Sequence, residues 1–274
     1  MAAPLTLDSL LDVLRLDATG PDRYRATNLD FGGDVVFGGQ LLGQSVAAAL
    51  DGVDGMSVKT LHQGFLRGAA REQDLDVYVD RVHTGRSFAT STVTFEQGGR
   101  AVSRAQLLLT APDPDLIRHA DAPADSSAPE DAAAMPNSSA VWEQRVVGGV
   151  DIDDPDAVGP AELSLWMRFP GASTDAVQDQ ALLAFATESF LIATAMRPHA
   201  GVGQAQAHRT VATSVISHTI TFHEPAPVAE WLLVQQHSPY AGRGRSYGRG
   251  DVFRRDGSLV ASFAQDNLIR AMSG

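Results

Sequence analysis

Glu188 is the residue whose surroundings first suggest chemistry. It stands in AVQDQALLAFATESFLIATAM, residues 176–196, and the side chains three and four positions away on a helix, Ala184, Phe185, Leu191 and Ile192, are all apolar. A carboxylate there is costly to ionise unless it is hydrogen-bonded, so its pKa should rise toward the range of a general base. The plain alternative is a glutamate at the edge of the apolar stripe, reaching water. A second candidate is FGGQLLGQSVAAAL, residues 37–50, where Gly38, Gly39, Gln40 and Gln44 crowd the start of an otherwise apolar helix. Glycines leave room for a ligand, and the first N–H groups of a helix are unpaired and partly positive. Gln40 and Gln44, one turn apart, would line the same side; close packing against a sheet explains the glycines equally well but not the glutamines. The segment GRGRSYGRG, residues 242–250, carries Arg243 and Arg245 and reads either as an anion contact or as a solvated hairpin. His62, His218 and His223 read as structural hydrogen-bonding residues, and no two histidines stand with a carboxylate at metal-ligand spacing, so no metal and no cofactor is expected.

These residues need elements to hold them. The stretch 176–196 is expected to be one helix, with Ser173, Thr174 and Asp175 as capping side chains, Arg197-Pro198 as its end, and Leu182, Phe185, Ile192 and Met196 on a buried stripe. Residues 112–140 are rich in proline, alanine, serine and aspartate without apolar periodicity, which reads as a linker. The halves on either side repeat one another. Gly85-Arg86-Ser87-Phe88 corresponds to Gly244-Arg245-Ser246-Tyr247, and the turns Gly98-Gly99-Arg100 and Asp256-Gly257-Ser258 follow at nearly equal distance. Each half reads as one helix and a meander of antiparallel strands, the strands marked by alternation such as Ser91-Thr92-Val93-Thr94-Phe95. The expected organisation is a first module over 1–111, a linker over 112–140 and a second module over 141–274.

The 274 residues and 44% hydrophobic content suffice for an ordinary core. A net charge of −12 argues against a general affinity for nucleic acid or an anionic membrane, and a polyanionic ligand would need a local basic patch. There is no uninterrupted apolar run long enough for membrane insertion, and acids lie among the leucines of the first twenty residues. A cytoplasmic protein is expected. With no cysteine, disulfides, thiolate metal sites and a thiol nucleophile are excluded.

The order FGGQLLGQ, LHQGFLR, GRSF, a long linker, HTITFHEP, Glu230-Trp231-Leu232-Leu233 and DGSLVASFAQDNLIR resembles the acyl-CoA thioesterase II family over residues 25–271. The resemblance implies an α+β fold of two fused hotdog modules, each a curved antiparallel sheet around a central helix, and an acyl-CoA partner. It implies a water activated by an acid on the second module's helix, a hydroxyl on the next strand and a glutamine on the last strand. The acid falls on Glu188, where the family pattern usually has aspartate, and the glutamine on Gln265. The hydroxyl position falls on Val215. Alternation puts Thr213, Val215 and Ser217 on one face and Ser214, Ile216 and His218 on the other, and Thr213 is the expected substitute. Arg243 and Arg245 would then meet the phosphates of coenzyme A, and the protein would be a homo-oligomer, dimer or tetramer. A non-catalytic acyl-CoA or acyl-carrier binding protein on the same fold is the alternative, distinguished by binding without turnover.

Overall fold

The computed structural model describes residues 5–124, 127–136 and 138–272. After a short helix α1 (Leu7–Leu14), the first half contains β1 (Asp17–Gly20), β2 (Arg23–Ala26), α2 (Gly38–Leu50), β3 (Ser57–Phe65), β4 (Leu75–Thr84), β5 (Phe88–Gln97) and β6 (Arg100–Thr110). The second half contains β7 (Ala133–Ala134), β8 (Glu143–Val146), β9 (Glu162–Arg168), α3 (Ala176–Thr187), α4 (Leu191–Met196), β10 (Val211–Phe222), β11 (Leu232–Gly242), β12 (Arg245–Arg254) and β13 (Leu259–Ala271). Among the described residues these strands pair antiparallel with one another, in the order β1-β2-β4-β5-β6-β3-β10-β13-β12-β11-β9-β8-β7. Each half is a hotdog module, and the two fuse into one sheet where β3 pairs with β10 from Gly64↔Ser217 to Thr60↔Thr221. His62 lies on that seam, Nδ1 2.7 Å from Thr219 Oγ1.

Two central helices fill the curve of the sheet. In α2 every residue from Gly39 to Leu50 except Ala47 is buried, which is why its sequence lacks a polar face. It runs antiparallel to α3 at close range: a Cβ on Gly39 would stand 2.3 Å from the Phe185 carbonyl oxygen, and one on Gly43 2.9 Å from that of Ala181. Leu42, Val46, Leu182, Leu183 and Phe185 are at most 1% exposed, each contributing on the order of 1.5–3 kcal/mol of burial. Helix α1, which apolar periodicity did not reveal, is started by a reciprocal Thr6/Ser9 cap and buries Leu10, Val13 and Leu14. No helix among the described residues is long and apolar enough to cross a membrane.

Three features depart from expectation. The 176–196 helix is two: α3 ends at Thr187, Phe190 takes a left-handed conformation at φ 74°, and α4 begins at Leu191. The 112–140 segment is not wholly a linker, because a turn of 3-10 helix (Pro129–Asp131) and β7 lie within it and β7 pairs with β8. Strand β10 carries a bulge at Ile216, where Val215 faces Asn267 but Ser217 faces Asp266. The extra residue inverts the alternation upstream, so Thr213, Val215 and His218 share the inner face and Ser214 turns outward.

Candidate active site

Glu188 is the first residue beyond α3, and the helix break fixes where its side chain can go. The last carbonyls of a helix have no partner within it, and here side chains take over. Gln265 Nε2 donates to the Glu188 carbonyl at 2.9 Å, Gln236 Nε2 to the Ser189 carbonyl at 3.0 Å, and Thr194 Oγ1 to the Phe190 carbonyl at 2.8 Å. Two strands of the sheet, β13 and β11, thus hold open a break that costs about 1–2 kcal/mol in left-handed backbone at Phe190. Strain of this kind concentrates at functional sites.

The Glu188 carboxyl lies over the start of α2, where a Cβ on Gly38 would fall 2.6 Å from Oε1 and 3.3 Å from the Phe65 ring. The glycine at 38 is therefore a clearance for the carboxyl. Glu188 is half-buried and lines the cavity. No group among the described residues hydrogen-bonds the carboxyl, and burial pushes its pKa up to about 8. The first turn of α2 has no side-chain cap, which leaves leading N–H groups for another acceptor.

Behind the acid is a neutral relay. The amide nitrogen of Gln265, besides holding the Glu188 carbonyl, lies 3.3 Å from His218 Nδ1, so Nδ1 accepts. His218 Nε2–H then donates to Thr187 Oγ1 at 3.2 Å, and that hydroxyl donates to the Ala184 carbonyl at 3.2 Å. His218 is fully buried, and burial, with a smaller contribution from the charge of His62, pushes its pKa down to about 3. With both amide hydrogens of Gln265 engaged, Oε1 is its remaining function; it is buried and unpaired. Gln265 does not line the cavity, so its contact with the site runs through the Glu188 main chain.

A cavity of about 640 Å³ opens in front of Glu188 between the two modules. Its first-module wall is Phe31, Phe37, Gly38, Leu41 and the 65–69 loop; its second-module wall is Ser189, Phe190, Ile192 and residues 213–216. Thr213 lines it with its hydroxyl 3.4 Å from His208 Nε2, and Val215 lies between Thr213 and the His218 position on the same face. The bulge brings Thr213 onto the face of His218, where simple alternation separates the two.

Other expected residues are elsewhere. Gln40 hydrogen-bonds the Thr27 carbonyl, Asn28 Oδ1 and the Leu29 amide, and Gln44 the Val13 and Thr27 carbonyls. Both pin the N-terminal segment to α2 and neither lines the cavity. Gly39 packs against Phe185 and the Phe37 ring rather than facing a ligand. Arg243 and Gly244, at φ 55° and 72°, form the two-residue turn of the β11–β12 hairpin, and neither Arg243 nor Arg245 lines the cavity. Sequence reasoning missed Gln236, whose signal was a polar residue among the inward positions Leu232, Val234 and Ser238. It also missed Arg67 and His208, which stand on the cavity rim.

A double hotdog whose two halves both match thioesterase domains is a thioester hydrolase. Residues 118–269 match the acyl-CoA thioesterase C-terminal domain and residues 27–110 the acyl-CoA thioesterase N-terminal domain. The chain belongs to the acyl-CoA thioesterase family. It is 28% identical to acyl-CoA thioesterase 2 of Haemophilus influenzae, over 96% of this chain and 98% of that one. It is 26% identical to acyl-coenzyme A thioesterase 8 of Mus musculus, over 94% and 88%. Among solved structures, acyl-CoA thioesterase II TesB2 from Mycobacterium marinum superposes with a TM-score of 0.82 at 27% identity, covering 97% of this chain and 99% of that one.

Proposed function

We propose that the protein hydrolyses acyl-CoA to the free fatty acid and coenzyme A, with Glu188 as the base that activates water. The observation that carries this reading is the Glu188 carboxyl, half-buried, unpaired and facing the cavity, at a position fixed by Gln265 and cleared by Gly38. The carboxylate takes a proton from water, the water oxygen attacks the thioester carbon, and the tetrahedral oxyanion collapses with loss of the coenzyme A thiolate, which takes up a proton. The uncapped start of α2 supplies N–H groups and a partial positive charge for the oxyanion. Gln265 positions Glu188 through its main-chain carbonyl, and Thr213 contributes a hydroxyl further along the wall.

The chemistry needs no metal or cofactor. In this reading the protein works in the cytoplasm as a homo-oligomer, dimer or tetramer. Strand β1, exposed along its four residues at the sheet edge, supports association, and sedimentation velocity reads the number. The decisive test is thiol release from a panel of acyl-CoAs by the wild type, Glu188→Ala and Glu188→Asp. Loss of at least a hundredfold in the alanine variant is expected, and an unchanged rate would remove Glu188 from the mechanism.

A further inference from the structure

The cavity has a charge asymmetry that the hydrolytic groups do not explain. Glu188 sits on its floor among Gly38, Phe65 and Phe190, whereas Arg67, on the loop after β3, stands exposed at the rim. Among the described residues lining the cavity Arg67 is the single fixed cation, and its guanidinium enters no ion pair or side-chain hydrogen bond. Its neighbour Arg71, by contrast, is engaged with Asp30 and Glu72. Across the rim, His208 is held in a left-handed conformation at φ 61°, with its N–H on the Val211 carbonyl at 2.8 Å. Gln204 completes that side.

We infer that Arg67 is the anchor for the phosphates of coenzyme A, with His208 and Gln204 as hydrogen-bonding groups on the opposite rim. This inference rests on the proposed function for the identity of the ligand and adds a site to it. The pantetheine arm separates the thioester from the diphosphate and the 3′-phosphate. A phosphate contact therefore belongs at the mouth, away from a carboxylate that would repel it. In a chain of net charge −12, an uncommitted guanidinium at the cavity rim also gives a polyanion a local attraction. Guanidinium binds phosphate in a fork of parallel hydrogen bonds, which a lysine cannot reproduce.

The test separates this site from the hydrolytic reading by measuring binding and turnover independently. Calorimetric titration of coenzyme A and of phosphate-free pantetheine into the wild type, Arg67→Ala and Arg67→Lys reads the site without chemistry. Arg67→Ala is expected to weaken coenzyme A roughly tenfold to hundredfold, the loss of a charge-assisted hydrogen bond, with pantetheine unchanged and Arg67→Lys intermediate. In turnover, KM for an acyl-CoA should rise by the same factor, while kcat and the hydrolysis of an acyl-N-acetylcysteamine thioester stay constant. Equal affinity of wild type and Arg67→Ala for coenzyme A, or an equal loss for pantetheine, overturns the assignment. Phosphate-dependent binding through Arg67 in a protein that hydrolyses no thioester would uphold the site and overturn the hydrolytic reading.

Discussion

The side-chain amide of Gln265 on the last strand donates to the main-chain carbonyl of Glu188 at 2.9 Å. The bond ties the acid's backbone, not its carboxyl, to the sheet, so Gln265 acts by holding the helix break in place and leaves the carboxyl free to face the cavity. Replacing Gln265 by leucine should cost about 1–3 kcal/mol of stability, because it orphans a buried carbonyl, and should also lower kcat. Gln236→Leu removes the matching bond to Ser189 and should cost similar stability with a smaller loss of kcat. Chemical denaturation beside thiol-release kinetics compares the two, and equal kcat losses would deny Gln265 a special place.

Gly38 and Gly39 are adjacent but serve different ends. Alanine at 38 would press a methyl group against Glu188 Oε1 and is expected to reduce kcat about a hundredfold with little change in Tm. Alanine at 39 would push into the Phe185 carbonyl and the Phe37 ring, and is expected to destabilise by about 1–3 kcal/mol. Melting curves and initial rates of both variants check the separation.

With Glu188 as the proposed base, its raised pKa should set the pH dependence of the reaction. A base works as its carboxylate, so with the pKa pushed up to about 8 the ionised fraction falls tenfold per pH unit below that value. The logarithm of kcat should climb with unit slope toward a plateau near pH 8, after subtraction of the Glu188→Ala rate. A plateau already reached at pH 5 would mean that the acid is not held out of water.

Stability should carry two opposite slopes. Glu188 has a folded pKa above its ordinary 4.5, so the folded state holds the extra proton and stability declines as pH rises from about 4.5 to about 8. His218 has a folded pKa below its ordinary 6.5, so stability declines as pH falls from 6.5 toward about 3. Glu188→Gln should flatten the alkaline decline and His218→Asn the acid one. Tm measured across pH 4–9 for the three proteins reads both slopes.

Val215 occupies the inner face between Thr213 and His218, where the family resemblance calls for a hydroxyl. Val215→Thr, which adds that hydroxyl on the cavity wall, should raise kcat several-fold, and Thr213→Val should lower it. A Thr213→Val variant with wild-type kinetics would leave the reaction to Glu188 and Gln265.

The sequence by itself determined the duplication, the helix-and-meander pattern of each half and the carboxyl among apolar neighbours. All three are written in local periodicity, and burial energy enforces that periodicity wherever the chain folds. The helix register that sets Ala184 and Phe185 beside Glu188 survives in the structure, whereas the left-handed Phe190 places Leu191 and Ile192 in a second helix beyond the break. Only the tertiary structure decided which polar groups met the acid. Gln265 lies 77 positions from Glu188, and its partner was chosen by strand pairing across the sheet. The face of Thr213 was decided by one unpaired residue at Ile216, invisible in an alternation that counts every position equally. Gln40 and Gln44 pointed to a ligand by residue type, but the unpaired carbonyls of the N-terminal segment claimed them first. Arg67 gave no local signal, because a cation becomes a site only when the opposite module builds the other wall of its cavity.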